Sequence, residues 1–287
     1  MKLAIVTDST AYLSAEQIKA NDIHVIPIPF MVDGQAYQEG QDITTAEFYK
    51  LLKTSKTFPT TSQPALGTAK KLYEQLHEAG YDTILSIHLA SSISGFVDNL
   101  RLLENTIPGV KLIPYDSQIT VMLMGHLVLE AARMNRNHAD LDAILSRLNE
   151  MRASMGEVFI VNDLQNLVRG GRLSNASALV GTVLKIKPLL TFDPDTHKIV
   201  AFERVRSIKR AYARAEELLQ QAITTHNYPL RALIIHGNDL PEAKIWQQGI
   251  QARFPELPTE ITYFGPVVGV HLGDKAMALA WIRVYND

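Results

Sequence analysis

Cysteine is absent from this 287-residue sequence, which excludes disulfides, thiolate catalysis and cysteine-built zinc sites together. That absence is in keeping with a reducing, cytoplasmic setting. Long apolar runs are missing as well. No stretch approaches the roughly 18–20 residues needed to span a bilayer, and Met1–Asp8 lacks the apolar region and cleavage site of a signal peptide. Neither sign of charge dominates: the formal net charge is −2, so no general attraction to nucleic acid or anionic membrane is expected. Nucleotide and hydrolase signatures are also lacking. There is no Gly-x-x-x-x-Gly-Lys-Ser/Thr loop, no strand leading into Gly-x-Gly-x-x-Gly and no Gly-x-Ser-x-Gly elbow. No His-Glu-x-x-His or comparable carboxylate–His cluster marks a metal site.

What the chain does have is enough apolar material, 46% of residues, for one large or two ordinary cores. In the first half, strand-like runs at Leu3–Thr7, Val25–Val32, Thr83–Leu89 and Val110–Tyr115 alternate with helical spacing at Ala65–Ala79, Phe96–Asn105 and Val121–Asn135. Thr44 and Glu47 form a capping-box pattern for a helix burying Phe48, Leu51 and Leu52. Strands separated by helices favour a mostly parallel sheet. The second half reads as mixed. Strand Val158–Val161 precedes a hairpin, Pro188–Phe192 and Lys198–Arg204, around a turn at Asp193–His197. Helix Ser207–Thr225, strand Ala232–His236, helix Pro241–Arg253, strand Glu260–Phe264 and a closing helix Asp274–Val284 follow. The fold class expected is therefore α/β in two lobes: residues 1–155 with a mostly parallel sheet, and residues 156–287 with a mixed sheet and helices.

Two hydroxyl-rich turns stand out, Thr60-Thr61-Ser62-Gln63-Pro64 and Ser91-Ser92-Ile93-Ser94-Gly95, each just before an expected helix. Hydroxyls and backbone N–H groups at a helix start make a neutral, donor-rich cup for an anionic head. Helix capping accounts for one hydroxyl at each turn equally well. Asp8-Ser9 and Asp116-Ser117 close strands where parallel sheets bind ligands, and they are also ordinary turn residues. His271 lies in the glycine-rich Gly265–Gly273, which reads as a tight connection; His88 and His236 are weaker candidates. Arg169-Gly170-Gly171-Arg172 sets two guanidinium groups about a turn suited to phosphate or a partner. Charge is uneven: the stretch from Arg169 to Arg214 carries +7, leaving −9 elsewhere. It reads as a solvated helix face or as a face for phosphate or an acidic partner. Hydroxyls without an evident base favour binding over catalysis.

In these residues the chain resembles the bacterial DegV family of fatty-acid-binding proteins, over nearly its whole length. The resemblance runs through Val6–Thr10, Asp42–Thr44, Glu47–Tyr49, Thr60–Pro64, Ser91–Gly95 and Asp116-Ser117. It continues through Arg169–Leu173, Ile186–Pro188, Val205–Ser207 and Gly265–Val267 to His271. It departs at Ala90, where the family often has Ser, at Phe96 in place of Thr, and at Asp274 in place of Pro. The resemblance implies a non-enzymatic carrier with no cofactor beyond its bound fatty acid. Its long-chain acyl group lies in an apolar tunnel, for which Ile26–Val32, Met122–Met124 and Val183–Leu190 are candidate linings. It implies a carboxylate held at Thr61, Ser62, Ser94 and Gly95 with His271 in support. It also implies presentation to a separate ATP-dependent fatty acid kinase, with Arg172 and Arg206 at partner-facing positions and membrane contact transient at most. The rival readings are a stand-alone hydrolase or phosphotransferase using Ser94 and His271, and a lipid-sensing regulatory protein.

Overall fold

The computed structural model describes residues 2–174 and 186–285. The chain divides into two compact units, Met1–Arg152 and Ala153–Asp287.

The first unit is built on β1 (Leu3–Asp8), which leads through a 3₁₀ turn, Ser9–Ala11, to α1 (Ala15–Ala20) and β2 (Ile23–Ile26). Next come β3 (Pro29–Val32), β4 (Gln35–Gln38), α2 (Thr45–Thr54), β5 (Thr60–Thr61) and α3 (Leu66–Glu78). The unit ends with β6 (Thr83–His88), α4 (Phe96–Arg101), β7 (Lys111–Asp116), α5 (Val121–Arg136) and α6 (Leu141–Ala153, whose last residue belongs to the second unit). Strands pair in the order β2-β1-β6-β7, all parallel. The chain leaves β1 to one side for β2 and returns on the other side with β6. The carboxyl ends of β1 and β6 therefore flank the crevice where such sheets bind ligands. One face of this sheet packs Ala4, Val6, Ile84 and Leu112 against Tyr73, Phe96 and Leu100 of α3 and α4. A separate antiparallel sheet, β4-β3-β5, carries Thr61 opposite Phe30.

The parallel first sheet bears out the expected class, with local differences. Val25–Val32 is two strands, because Pro27 and Pro29 withdraw ladder donors and let the chain turn out of one sheet into another. The capping box at Thr44 and Glu47 is present, but the helix buries Phe48 and Tyr49 while Leu51 and Leu52 stay half-exposed. Helix α4 stops at Arg101 and continues as tight turns, such as Leu103 N–H to Leu100 O. Helices α1 and α6 and strand β4 had no expectation.

The second unit comprises β8 (Gly156–Ile160), α7 (Gln165–Arg169), β9 (Lys187–Phe192), β10 (Ile199–Val205) and α8 (Ile208–Thr225). Then follow β11 (Leu230–His236), α9 (Leu240–Arg253), β12 (Thr259–Tyr263), α10 (Pro266–Leu272) and β13 (Met277–Arg283). Its mixed sheet runs β10-β9-β8-β13-β11-β12, with only β11 and β12 parallel. The β9–β10 hairpin and α8, capped by Ser207, match expectation. The closing helix does not: residues 277–283 are a strand near the sheet's centre. Met277, Leu279 and Trp281 join the core formed with α8 and α9. Ala278 and Ala280 are buried on the opposite side, so both faces are apolar and the period-2 signal vanishes. The Gly265–Gly273 connection is a short helix closed by Gly273 at φ +78°. Of the proposed tunnel linings, Ile26, Ile28, Phe30, Val32 and Met122–Met124 are buried core, while Val183–Lys185 lie outside the described residues.

Candidate functional site

In the first unit the two hydroxyl-bearing turns come together. Thr61 sits in β5, and the Ser62 N–H donates to Pro29 O at 3.1 Å. Helix α3 begins only at Leu66, with Ala65 as its cap and no side-chain capping bond. Capping therefore does not account for Thr60, Thr61 or Ser62. From this turn Gln63 reaches across to the other: its Oε1 accepts from Asn99 Nδ2 at 2.6 Å. A Cβ placed on Gly95 would stand 2.8 Å from Gln63 Nε2, so the missing side chain is what admits Gln63. In the second turn the Ser94 N–H donates to Ala90 O, and its hydroxyl accepts from Phe96 N–H at 3.4 Å, a weak cap. Thr61, Ser94 and Gly95 are half-buried and Ser62 is exposed.

Behind these turns lies a buried polar network. Asp8 Oδ1 accepts from the Thr10 N–H (3.0 Å) and hydroxyl (2.5 Å), and Oδ2 from His88 Nδ1 (2.9 Å) and Leu89 N–H (3.1 Å). With Nδ1 donating, His88 Nε2 is left to accept from the Ser86 hydroxyl at 2.7 Å, and Ser86 in turn bonds Tyr73 at 2.8 Å. Asp8, Ser86 and His88 are fully buried. Ser86–His88–Asp8 has the connectivity of a nucleophilic triad. However, Ser86 is buried in mid-strand and already engaged by Tyr73, so no substrate reaches it without opening the sheet. Asp116 Oδ1 accepts from Ser91 N–H (3.2 Å) and Gln118 N–H (2.9 Å). Both strand-closing aspartates thus hold the backbone of the Leu89–Ser91 segment. Sequence reasoning placed Asp8 and Asp116 at the right edge. It missed the bond from Asn99 to Gln63 and the links from Asp8 to His88, because bonds spanning 36 and 80 residues leave no local pattern.

The second unit brings His271 and Arg172 together. Helix α7 ends at Arg169, and Gly170 and Gly171 turn the chain, Gly171 with φ +69°. A Cβ on Gly170 would come within 2.5 Å of His271 Nδ1, and one on Gly273 within 2.4 Å of Asn166 Nδ2. Only glycines let α7 and α10 approach this closely. Burial, with the Arg172 guanidinium adding to it, pushes the His271 pKa down to about 4, which leaves a neutral imidazole near pH 7. Arg172 donates to Gly170 O, and burial lowers its own pKa. Arg206 is exposed at the end of β10, just ahead of the cap of α8. A further group had no sequence signal. Glu157 retains some exposed surface, yet crowding by protein pushes its pKa up to about 7, although Thr191 hydroxyl and Phe192 N–H each donate to it at 2.8 Å.

Among the described residues, no group of three or more His, Asp or Glu side chains is placed to hold a metal ion. No described helix is long and apolar enough to cross a membrane. A family model described as "Uncharacterised protein, DegV family" matches residues 2–284. A DegV domain-containing protein of Listeria innocua is 43% identical over 280 residues, covering 98% of both chains. The crystal structure of DegV from Bacillus subtilis, described as a fatty acid binding protein, superposes with a TM-score of 0.90 at 36% identity. It covers 99% of this chain and 100% of that one. A fatty acid binding DegV family protein of Streptococcus agalactiae gives a TM-score of 0.92 at 35% identity, with the same coverage. Likeness of this extent, in sequence and in fold, leaves one conclusion: the chain belongs to the DegV family.

Proposed function

We propose that this protein binds a long-chain fatty acid and presents it to a separate kinase, which makes the acyl phosphate from ATP. The observation that carries this reading is the near-complete structural likeness to two proteins described as fatty acid binding. The geometry of the first unit supports it. The carboxylate is assigned to the hydroxyls of Thr61, Ser62 and Ser94 and the backbone N–H of Gly95, on two turns that Gln63 ties together. Neutral donors orient the head without a buried ion pair, and an acyl tail gains about 0.8 kcal/mol for each CH₂ it buries. His271 is assigned a supporting role as a neutral imidazole, and Arg172 and Arg206 a role towards the kinase. The chain is read as a carrier rather than a catalyst, with no cofactor.

Two measurements test this. Native mass spectrometry of protein purified from cells, with organic extraction, should find one fatty acid per chain. A small polar ligand, or no ligand at all, counts against the reading. Incubation with oleate and ATP should give acyl phosphate only when a fatty acid kinase is added. Turnover by this chain alone would make it an enzyme.

A further inference from the structure

The Asp8–Tyr12 turn is linked to both hydroxyl-bearing turns through the segments that lead into them. On one side, the Asp8 carboxylate takes the Leu89 N–H and the His88 ring at the root of Ser91–Gly95. On the other, the buried Glu39 carboxylate accepts from Ser9 Oγ at 2.6 Å and Tyr12 Oη at 3.2 Å. Ser9 Oγ itself accepts from Ile28 N–H, and Glu39 N–H donates to Ile28 O, at the entry to β3. Strand β3 carries Thr61 through its pairing with β5.

The turn is held from behind as well. Thr120 Oγ1 bonds Thr10 Oγ1 at 3.1 Å. Gly125 of α5 passes so close that a Cβ there would stand 2.6 Å from Ala11 O. Two non-glycine residues adopt left-handed backbone around it: Tyr12 at φ +49° and the β-branched Val121 at φ +57°. Such conformations are strained, and persist where the surroundings over-determine them.

Resting on the fatty acid reading above, we propose that the Asp8–Tyr12 turn fixes the spacing between Thr61 and Ser94, with Asp8 and Glu39 as positioning residues for the ligand head. Neither carboxylate touches the head group. Each directs its oxygens at donors of the protein, so neither is left free to bind a ligand group itself. Asp8 sets the Ser94 side of the spacing and Glu39 the Thr61 side.

The test compares Asp8→Asn, Glu39→Gln, the double variant and Leu76→Ala, all in the full chain. Leu76→Ala cuts the same unit's core without touching either brace. Amide hydrogen exchange and oleate binding to delipidated protein are read together. Asp8→Asn should speed exchange at Leu89 and Ser91 roughly tenfold and leave Ser62 within about twofold; Glu39→Gln should do the reverse. Each should weaken oleate roughly tenfold, and the double variant by less than the product, because either misplacement already breaks the same pair of contacts. Leu76→Ala should raise exchange across the whole unit and leave oleate affinity of the folded protein within about twofold. Uniform exchange in the brace variants, or unchanged oleate affinity, overturns the proposal. A wild-type chain that takes no oleate sinks the fatty acid reading instead, and the exchange pattern then decides the braces by itself.

Discussion

In the first unit, the buried carboxylate of Asp8 meets four donors, two from Thr10 and one each from His88 and Leu89. In the second, Glu157 meets two and is pushed up to about 7, while His271 is pushed down to about 4. Both units bury polar groups beside residues assigned to function, but by different means. The first surrounds its carboxylate with donors in a closed network, so its failures are mechanical. In the second, burial shifts the titration of Glu157 and His271, so its failures follow pH. The difference traces to topology. In a parallel sheet, β1 and β6 end side by side and aim carboxylate, imidazole and following amides at one place. In the mixed sheet, Glu157 lies along an antiparallel ladder, and its partners are whatever β9 offers.

The largest effect expected from this contrast is at Asp8. Asp8→Ala leaves a buried imidazole and three further donors without their acceptor, a loss of roughly 3–5 kcal/mol. Glu157→Gln keeps the volume and an acceptor oxygen for Thr191 and Phe192, and should cost less than about 1 kcal/mol near pH 7. Urea unfolding of each variant at that pH checks both. Equal losses would erase the distinction between the units.

The pH dependence comes next. Above 6.5 His271 is neutral folded or unfolded; below it the unfolded chain takes a proton that the folded chain refuses until about 4. Its contribution is therefore present above 6.5 and lost as pH falls toward 4, by up to roughly 3 kcal/mol. Glu157 runs the other way. Its folded carboxyl holds a proton up to about 7 that the unfolded chain gives up near 4.5, so its contribution is lost as pH rises through that interval, by a similar amount. Between about 4.5 and 6.5 the two slopes oppose and the second unit's stability should be nearly flat. Glu157→Gln should expose a fall toward acid and His271→Gln a fall toward neutral. Denaturation midpoints at pH 4.5, 5.5 and 6.5 decide it, and a flat profile in both variants rules out this pairing.

These same features separate what the sequence made legible from what it did not. Local chemistry was readable: the capping box at Thr44, the turn at Asp193–His197, the Ser207 cap and the parallel class of the first sheet all follow from neighbours in the chain. Readings failed where tertiary burial overrode a local period. Strand β13 is apolar on both faces and carries no alternation, so it mimics a helix. The site divides in the same way. Thr61, Ser94 and Gly95 were visible as hydroxyls and a glycine, whereas Gln63 to Asn99 and Asp8 to His88 are partnerships made by the fold alone. Capping explained the hydroxyl turns from local sequence, and it fails at Thr60–Ser62 because the helix starts at Leu66.

A third prediction probes the mechanical side of the contrast with glycines. Gly125→Ala drives a methyl against Ala11 O at 2.6 Å, a backbone atom already tied into the Asp8 turn, and should cost about 1–3 kcal/mol. Gly249 in α9 of the second unit is exposed, with nothing within 4 Å of its added Cβ. There the alanine should gain about 1 kcal/mol by helix propensity alone. Thermal melts suffice, and a stabilised Gly125→Ala would mean that the turn yields where the braces require it to hold.

The last contrast lies within a few residues of Asp8 and has opposite signs. Thr7 and Thr10 are both fully buried at the end of β1. Thr10 donates its hydroxyl to the Asp8 carboxylate at 2.5 Å and accepts from Thr120. Thr7 Oγ1 has no hydrogen-bond partner among the described residues. Valine matches threonine in shape, so substitution removes the hydroxyl and little else. Thr10→Val should cost about 1.5–3 kcal/mol, since the lost bond is to a charged acceptor. Thr7→Val releases an unsatisfied buried oxygen and should be neutral, or should stabilise by up to about 1 kcal/mol. If both variants lose stability equally, Thr7 belongs to the polar network after all, and the closed set of bonds around Asp8 extends beyond Thr10, His88 and Leu89.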